Sequence, residues 1–487
     1  MSISPSAAHP AKQRKNHPGG VGIRQAATSE KIIDVSHEIE SAPLRPFHIK
    51  LGLLISLILL FDGYDLYNTA YIVHYVAADW RLNAQQIGAL LSSGLAGFAA
   101  GSTISGFFAD RFGRRTALLL GCWTSSAMSL AIACFARDLH SYIVLRFVMG
   151  LSLGLLMPVA ITYINEIAPS RASNLFTAWF FSLGWLGGAS AAGLVAAWLA
   201  PRYGWESLYF AGALMLPVSV WLHRLPESPH FLASRSRWAA LATLLTNIQP
   251  ERATTYASAQ FSSPRKEKSA SFRLLLSRTY MARTICFWGA GMLSLFSAYS
   301  LSTWLPTIIL ARGEKLSASF AYGSLLAACA VGGGLLTAAV ADRIGDRRRV
   351  IASSFVLGTI AIGALARAHT PLSTVVAVAA AGAFVVGSQI VLNNLVASSY
   401  PTEIRGTGVG MFLGIGRIGA MLGPVVAGIT RQLSGSYDLV FGIVAVAVLL
   451  TAILIYGSPR TSSSGERSKD ATEEIESETH ADEDDRY

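Results

Sequence analysis

The chain has 487 residues, of which 52% are hydrophobic and 14% charged, and its mean hydropathy is +0.44. Soluble domains carry about 25% charged residues, so the composition excludes an ordinary soluble globule and implies a polytopic membrane protein. The net charge of +10 does not point to nucleic acid, because much of it sits in short connections between apolar runs, where Lys and Arg set orientation.

Residues 1–46 are polar and basic, lack the apolar core of a signal peptide, and are expected to form a disordered cytoplasmic tail. A spanning helix needs about 20 mostly apolar residues. Six such spans are expected in an N-terminal bundle over 47–226, at roughly 48–76, 84–109, 115–136, 140–166, 172–200 and 206–225. A polar, Arg-rich cytoplasmic loop follows over 227–280. Six more spans are expected in a C-terminal bundle over 281–457, at roughly 281–311, 318–341, 349–367, 372–399, 404–432 and 437–457. Residues 458–487 are mainly acidic and are expected to be a disordered tail. The basic connections all fall on one side if the helices alternate, so both termini are predicted to be cytoplasmic. Cys122, Cys134, Cys286 and Cys329 show no paired spacing, and neither a disulfide nor a metal site is inferred.

The first span carries Asp62-Gly63-Tyr64-Asp65. A charge at bilayer depth costs at least about 2.5–3.5 kcal/mol, so intramembrane acids are functional candidates. Spaced three apart, the two carboxylates share a helix face, which suits a proton or ion site lining a pathway. The bland alternative is an acid that reaches the headgroups from a helix end.

The two halves repeat. Ala109-Asp110-Arg111-Phe112-Gly113-Arg114-Arg115 follows the second span, and Ala341-Asp342-Arg343-Ile344-Gly345-Asp346-Arg347-Arg348 follows the eighth. Pro169-Ser170-Arg171 closes the fourth, and Pro401-Thr402-Glu403-Ile404-Arg405 closes the tenth. The offsets are 232 residues for Asp110 to Asp342 and 234 for Arg171 to Arg405. A six-plus-six repeat is the plan of a rocking secondary transporter with its substrate near the midplane. No Gly-Lys-Ser/Thr loop occurs, so no ATP site is read and an ion gradient is the expected energy source.

From about 47 to 457 the chain resembles the major facilitator superfamily. The Asp-Arg-x-Gly-Arg-Arg loop at 110–115 is that superfamily's most specific short signature. Arg146 to Gly150, with Pro158, Tyr163 and Glu166, looks like the fourth helix of sugar-porter-like members, and Pro226-Glu227-Ser228-Pro229 looks like the element after their sixth. Asp-Gly-Tyr-Asp, together with Glu403 to Gly408, Gly414 to Gly419 and Trp304-Leu305-Pro306, resembles the aromatic acid:H+ symporter family. The resemblance implies an all-α integral membrane fold of twelve transmembrane helices in two pseudo-symmetric bundles.

It also implies roles. Asp62, Asp65 and Arg146 are the proton-coupling candidates, since in proton-coupled sugar porters the acid of helix 1 and the arginine of helix 4 form the switch; a static ion pair is the alternative. Arg417 lies near the midplane of helix 11, where its fork can hold a carboxylate bidentately, or pair with Asp62 or helix carbonyls. Tyr64, Trp179, Trp185, Tyr299 and Trp304 can flank a flat substrate or simply face lipid. Gln389, Asn393 and Asn394 can bind a substrate hydroxyl or bond helix to helix. Asp110, Arg111, Gly113, Arg114, Arg115, Glu166 and Arg171, with Asp342, Arg343, Glu403 and Arg405, are expected to form a cytoplasmic gate.

The reading is a proton-coupled importer of aromatic monocarboxylates such as hydroxybenzoate-like acids. It needs no cofactor beyond a proton gradient, has no enzymatic site, and acts as a monomer in the bacterial cytoplasmic membrane. Its partners are H+, a small organic anion and the bilayer, not nucleic acid. A carrier of a muconate-like dicarboxylate or a sugar, and a membrane sensor, are the alternatives.

Overall fold

The computed structural model describes residues 32–168, 180, 182–257, 259–262 and 272–459. A short strand β1 (Ile32–Asp34) and helix α1 (Val35–Glu40) precede the long helix α2 (Pro46–Asp79). The first half continues with α3 (Ala84–Phe112), α4 (Arg114–Phe135), α5 (Leu139–Ile167), α6 (Gly187–Tyr203), α7 (Glu206–Gly212) and α8 (Met215–Trp221). Between the halves lie α9 (Pro229–Ser234), α10 (Trp238–Ile248), α11 (Ala253–Ala257), strand β2 (Gln260–Ser262) and α12 (Phe272–Leu275). The second half is α13 (Met281–Ala311), α14 (Leu316–Ile344), α15 (Arg347–Ala366), α16 (Pro371–Ala381), α17 (Gly387–Ser398), α18 (Thr402–Ser434) and α19 (Asp438–Gly457).

Among the described residues, ten helical spans are long and apolar enough to cross a membrane. The other two expected spans take different forms. The first is α2, whose 34 residues reach about 51 Å at 1.5 Å per residue, with Asp62 and Asp65 inside. The sixth, expected over 206–225, is broken into α7 and α8. Five-residue π turns precede α6 (Ser182–Leu186) and α17 (Gly382–Val386); such turns are rare and cluster at functional places.

Local chemistry sets the boundaries. Asn83 caps α3 by accepting from the Gln86 N–H at 2.9 Å, and Asp138 caps α5 through Ser141. Gly113 turns the chain between α3 and α4 at φ +100°, a conformation side chains resist. Helices α3 and α5 pack backbone to backbone: a Cβ on Gly150 would lie 2.1 Å from the Gly94 carbonyl oxygen, and one on Gly97 2.0 Å from that of Phe147. Small residues at helix contacts permit this approach where lipid supplies no hydrophobic drive.

The halves meet along two seams. At the first, Gly88 of α3 faces Pro424 and Gly428 of α18, and the Ser92 hydroxyl donates to the Met421 carbonyl at 2.9 Å. At the second, the Ser324 hydroxyl of α14 donates to the Ser190 carbonyl of α6 at 2.9 Å, and Tyr71 packs edge-on against Phe320. These contacts lie at mid-depth or toward the end opposite the arginine loops. The face of α18 that carries Gly406, Gly410 and Gly414 meets open space and is exposed, so an approach runs from the basic end to the middle of the seam.

Two expectations need correction. Residues 32–45 are not a disordered tail, and 227–280 is not a structureless loop. Strand β1 pairs in parallel with β2, and Ile33, Val35 and Ile39 share a core with Leu241, Leu244, Leu245, Ile248 and Tyr256. Glu38, 5% exposed, accepts from Arg252 and from the Tyr256 hydroxyl. The apolar spacing of α10 amid arginines was masked by loop-like composition. Residues 1–31 and 460–487 lie outside the described residues.

Candidate functional site

The acidic stretch sits in the buried centre of α2. Asp62 and Asp65 are fully buried. Gly63 and Gly188 bring α2 against the π turn before α6: a Cβ on Gly63 would lie 2.1 Å from the Trp185 carbonyl oxygen, and one on Gly188 1.9 Å from that of Leu60. The glycine between the two acids therefore sets Trp185 beside them. Tyr64, expected in the substrate slot, turns away and donates to the Leu208 carbonyl at 2.9 Å, within the first half.

Asp65 and Arg146 come together, but not as a carboxylate–guanidinium pair. Arg146, 1% exposed, donates to the backbone carbonyls of Asp65 at 2.6 Å and Leu66 at 3.2 Å. The Asp65 carboxylate instead accepts from the Ser125 hydroxyl at 3.3 Å and lies over Gly212, whose added Cβ would stand 2.3 Å from Oδ1. Beyond them, the Tyr142 and Tyr209 hydroxyls share a 2.5 Å hydrogen bond and Tyr142 reaches Thr69.

Arg417 projects from α18 into the seam. Its guanidinium reaches the Tyr299 hydroxyl at 3.4 Å and the Met157 sulfur at 3.7 Å, and stands 4.3 Å over the Phe98 ring. These are weak partners for a group with five N–H donors. Gly414 faces open space, whereas Gly416 and Gly419 let α13 approach; a Cβ on Gly419 would lie 1.9 Å from the Met292 carbonyl oxygen. Arg417 also acts electrostatically on Asp62.

An aromatic wall borders this arginine. Tyr67 stacks on Tyr299 with ring centres 6.3 Å apart and 14° between planes, and meets Trp185 edge-on at 5.8 Å. Sequence reasoning missed Tyr67, Phe98 and Met157. A signal for Tyr67 existed: it precedes Tyr299 by 232 residues, the same offset as Asp110 to Asp342. The two tyrosines are equivalent positions of the repeat and meet face to face at the seam.

The remaining substrate candidates separate. Trp304 donates to the Pro424 carbonyl at 3.1 Å and is fixed between α13 and α18. Gln389 donates to Asn393 one turn away at 3.0 Å, and Asn394 is exposed. Trp179 lies outside the described residues.

At the basic end of the first half the expected gate residues do assemble. Arg114 bridges Asp110 and Glu166, each at 3.0 Å, and Glu166 accepts from the Ser228 hydroxyl. The Arg115 backbone N–H donates to Glu227 at 3.0 Å, and Arg115 reaches the His223 carbonyl at 2.5 Å. A Cβ on Gly113 would lie 2.3 Å from Glu227, so this glycine serves both the turn and the network. Arg235 donates to the Arg111 carbonyl at 2.8 Å, joining the central segment to the loop. In the second half Asp342 pairs with Arg347 at 2.9 Å on the exposed surface, while Arg343 and Arg405 are exposed. Arg171 and the side chain of Glu403 lie outside the described residues. Glu227 and Ser228 were absent from the expected gate because their partners are more than 60 residues away.

Two helical halves, closed at one end around a central arginine, buried acids and stacked rings, define a multi-pass membrane carrier. The model of the Major Facilitator Superfamily matches residues 53–345 and 323–480, and the chain belongs to that family; it is a transporter, not an enzyme. It is 35% identical to the gallate transporter of Pseudomonas putida, over 87% of this chain and 94% of that one. It is 32% identical to the 4-hydroxybenzoate transporter PcaK of Pseudomonas aeruginosa, over 87% and 95%. The inward-open structure of the xylose transporter XylE from E. coli superposes with a TM-score of 0.66 at 16% identity, covering 86% of this chain and 97% of that one, a likeness of fold.

Proposed function

We propose that this chain is a proton-coupled importer of aromatic monocarboxylates, hydroxybenzoate-like acids among them, working by alternating access in the bacterial cytoplasmic membrane. The observation that carries the reading is Arg417, a cation at the seam with unspent donors beside a wall of Tyr67, Tyr299 and Trp185. A planar fork suits a carboxylate, and rings suit a flat apolar body, each contact contributing about 0.5–1.5 kcal/mol. Relatives named for gallate and 4-hydroxybenzoate transport favour the same chemistry.

In this reading the acids of α2 take a proton from the outer side while Arg417 captures the anion. The halves rock, and both ligands leave through the approach lined by Gly414, Gly410 and Gly406. No cofactor is needed, since the proton gradient supplies the energy. One anion with one proton is electroneutral, so a membrane potential, worth about 2.3 kcal/mol per charge per 100 mV, drives accumulation only if further protons move. The seam residues all come from one chain, which supports a monomer as the working unit.

The test is uptake of labelled 4-hydroxybenzoate into proteoliposomes with an inward proton gradient. Accumulation that collapses with a protonophore, and is competed by benzoate-type acids, supports the reading. Stronger competition by a muconate-like dicarboxylate or by xylose overturns the substrate class.

A further inference from the structure

We infer that Asp62 is the acid that ties proton uptake to substrate binding, because an ionised Asp62 and an incoming carboxylate compete for Arg417. This rests on the carrier reading above and assigns the two acids of α2 different tasks.

Asp62 and Asp65 are both fully buried, but their surroundings differ. Asp65 faces the interior of the first half, with Ser125 on its carboxylate and Arg146 on its carbonyl. Asp62 is turned toward the seam, and neither of its oxygens has a partner in hydrogen-bonding geometry. Arg417 forms no ion pair with it within 4.0 Å among the described residues, yet its charge acts on Asp62, as does the Trp185 indole. The groups facing Asp62 are Asp65 on its own helix, Arg417 and Tyr299 from the second half, Trp185 from the turn before α6, and Cys122 from α4. Arg146 of α5 is turned to the α2 backbone. Arg417 is thus the one cation on the seam side of Asp62 among the described residues.

A monocarboxylate seated on the Arg417 fork places a second anion beside Asp62. Two carboxylates in a water-poor site do not both remain ionised. Substrate anion therefore binds with Asp62 protonated. The proton comes from solvent, stays on the Asp62 carboxyl while the substrate is held, and leaves once the substrate has gone and Arg417 again attracts the free carboxylate. No covalent bond is made or broken, and charge balances as one anion plus one proton.

The experiment measures 4-hydroxybenzoate affinity of the purified full chain in nanodiscs by calorimetry between pH 6 and 8.5. The ligand's carboxyl is fully ionised throughout, since unperturbed carboxylic acids titrate near 4. In the wild type, affinity is expected to weaken as pH rises, up to tenfold per unit where Asp62 is ionised in the free protein. Asp62→Asn should bind at pH 8.5 as tightly as the wild type at pH 6, with no pH dependence. Asp65→Asn should keep the wild-type slope. Proton release or uptake, read by repeating the titration in buffers of different ionisation enthalpy, should show one proton taken up at pH 8.5 by the wild type and none by Asp62→Asn. Should Asp62→Asn not fold, the neutral 4-hydroxybenzamide gives the same test on the wild type, since its affinity should not vary with pH. An unchanged slope in Asp62→Asn, a vanished slope in Asp65→Asn, or a pH-dependent amide overturns the inference. If the wild type binds no aromatic acid at any pH, the carrier reading fails and takes this inference with it. Binding with a flat pH profile in the wild type leaves the carrier and removes Asp62 as the coupling acid.

Discussion

Arg146 holds the main chain of Asp65, not its side chain: Nη2 donates to the Asp65 carbonyl at 2.6 Å and to Leu66 at 3.2 Å. A helix carbonyl that accepts a second, charged donor is fixed in place, so the arginine positions the acid without neutralising it at contact distance. Hydrogen bonds to charged groups contribute about 1.5–3 kcal/mol each. Arg146→Ala should therefore lower the melting temperature of the purified protein by several degrees, with Arg146→Lys recovering part of the loss. Equal melting of all three would remove the positioning role.

Asp65→Asn should fold, because an amide oxygen still accepts from Ser125. Uncoupled exchange of substrate across the membrane should persist, while accumulation against a gradient is lost. Counterflow and gradient-driven uptake, measured in the same proteoliposomes, separate these. Concentrative uptake near the wild-type level in the variant excludes Asp65 from the proton route.

Arg417→Lys keeps the charge but replaces a planar fork with a point cation. We expect 4-hydroxybenzoate affinity to fall about tenfold or more, equivalent to about 1.4 kcal/mol, with little change in melting, since Arg417 has only weak protein partners. Ligand-induced thermal shift reads both quantities, as stabilisation follows RT ln(1 + [L]/Kd). Unaltered affinity would set the carboxylate elsewhere.

Gly188→Ala would push a methyl to 1.9 Å from the Leu60 carbonyl oxygen. Overpacking of this kind costs about 1–3 kcal/mol or more, and here it would also displace Trp185 from α2. Lower melting and weaker substrate binding should appear together. Gly442→Ala, with nothing within 4 Å of its added Cβ, is the control and should be neutral or stabilising by about 0.5–1 kcal/mol.

Glu38→Ala should release β1 and α1 from the central segment. It leaves Arg252 and the buried Tyr256 hydroxyl without their acceptor, a loss of about 1–3 kcal/mol for the module. Limited proteolysis should then cut between 32 and 45 and between 253 and 262 sooner than in the wild type, while the ten apolar spans stay protected. An identical cleavage pattern would show that the strand is held by its apolar core alone.

Much of this molecule was legible in the chain. Apolar runs of about 20 residues with Arg-rich connections set the spans, because a bilayer leaves helices as the only way to satisfy a buried backbone. The duplicated Asp-x-x-Gly-x-x loops gave the two halves, and the acids at 62 and 65 marked the site, because charge in an apolar run is too costly to persist without a task. Arg114 and Glu166 also met as expected. Less legible was the module of residues 32–45 and 229–262, whose arginines hid a short apolar stripe.

What composition and spacing could not decide was which way each polar group turns. Tyr64 and Tyr67 lie on the same helix, yet one caps Leu208 inside the first half and the other stacks on Tyr299 across the seam. Trp185 and Trp304 are both buried tryptophans, and only the first stands beside the acids. These assignments depend on contacts between residues separated by a hundred positions or more, set by where glycines such as Gly63, Gly188 and Gly419 allow two backbones to touch. The sequence by itself determined that a membrane-embedded, duplicated carrier would bury charge at its centre, because transfer energies and helix length are local quantities. Only the tertiary structure decided that Asp62 looks toward Arg417 while Asp65 looks away, because that choice is made by the packing of six helices around one.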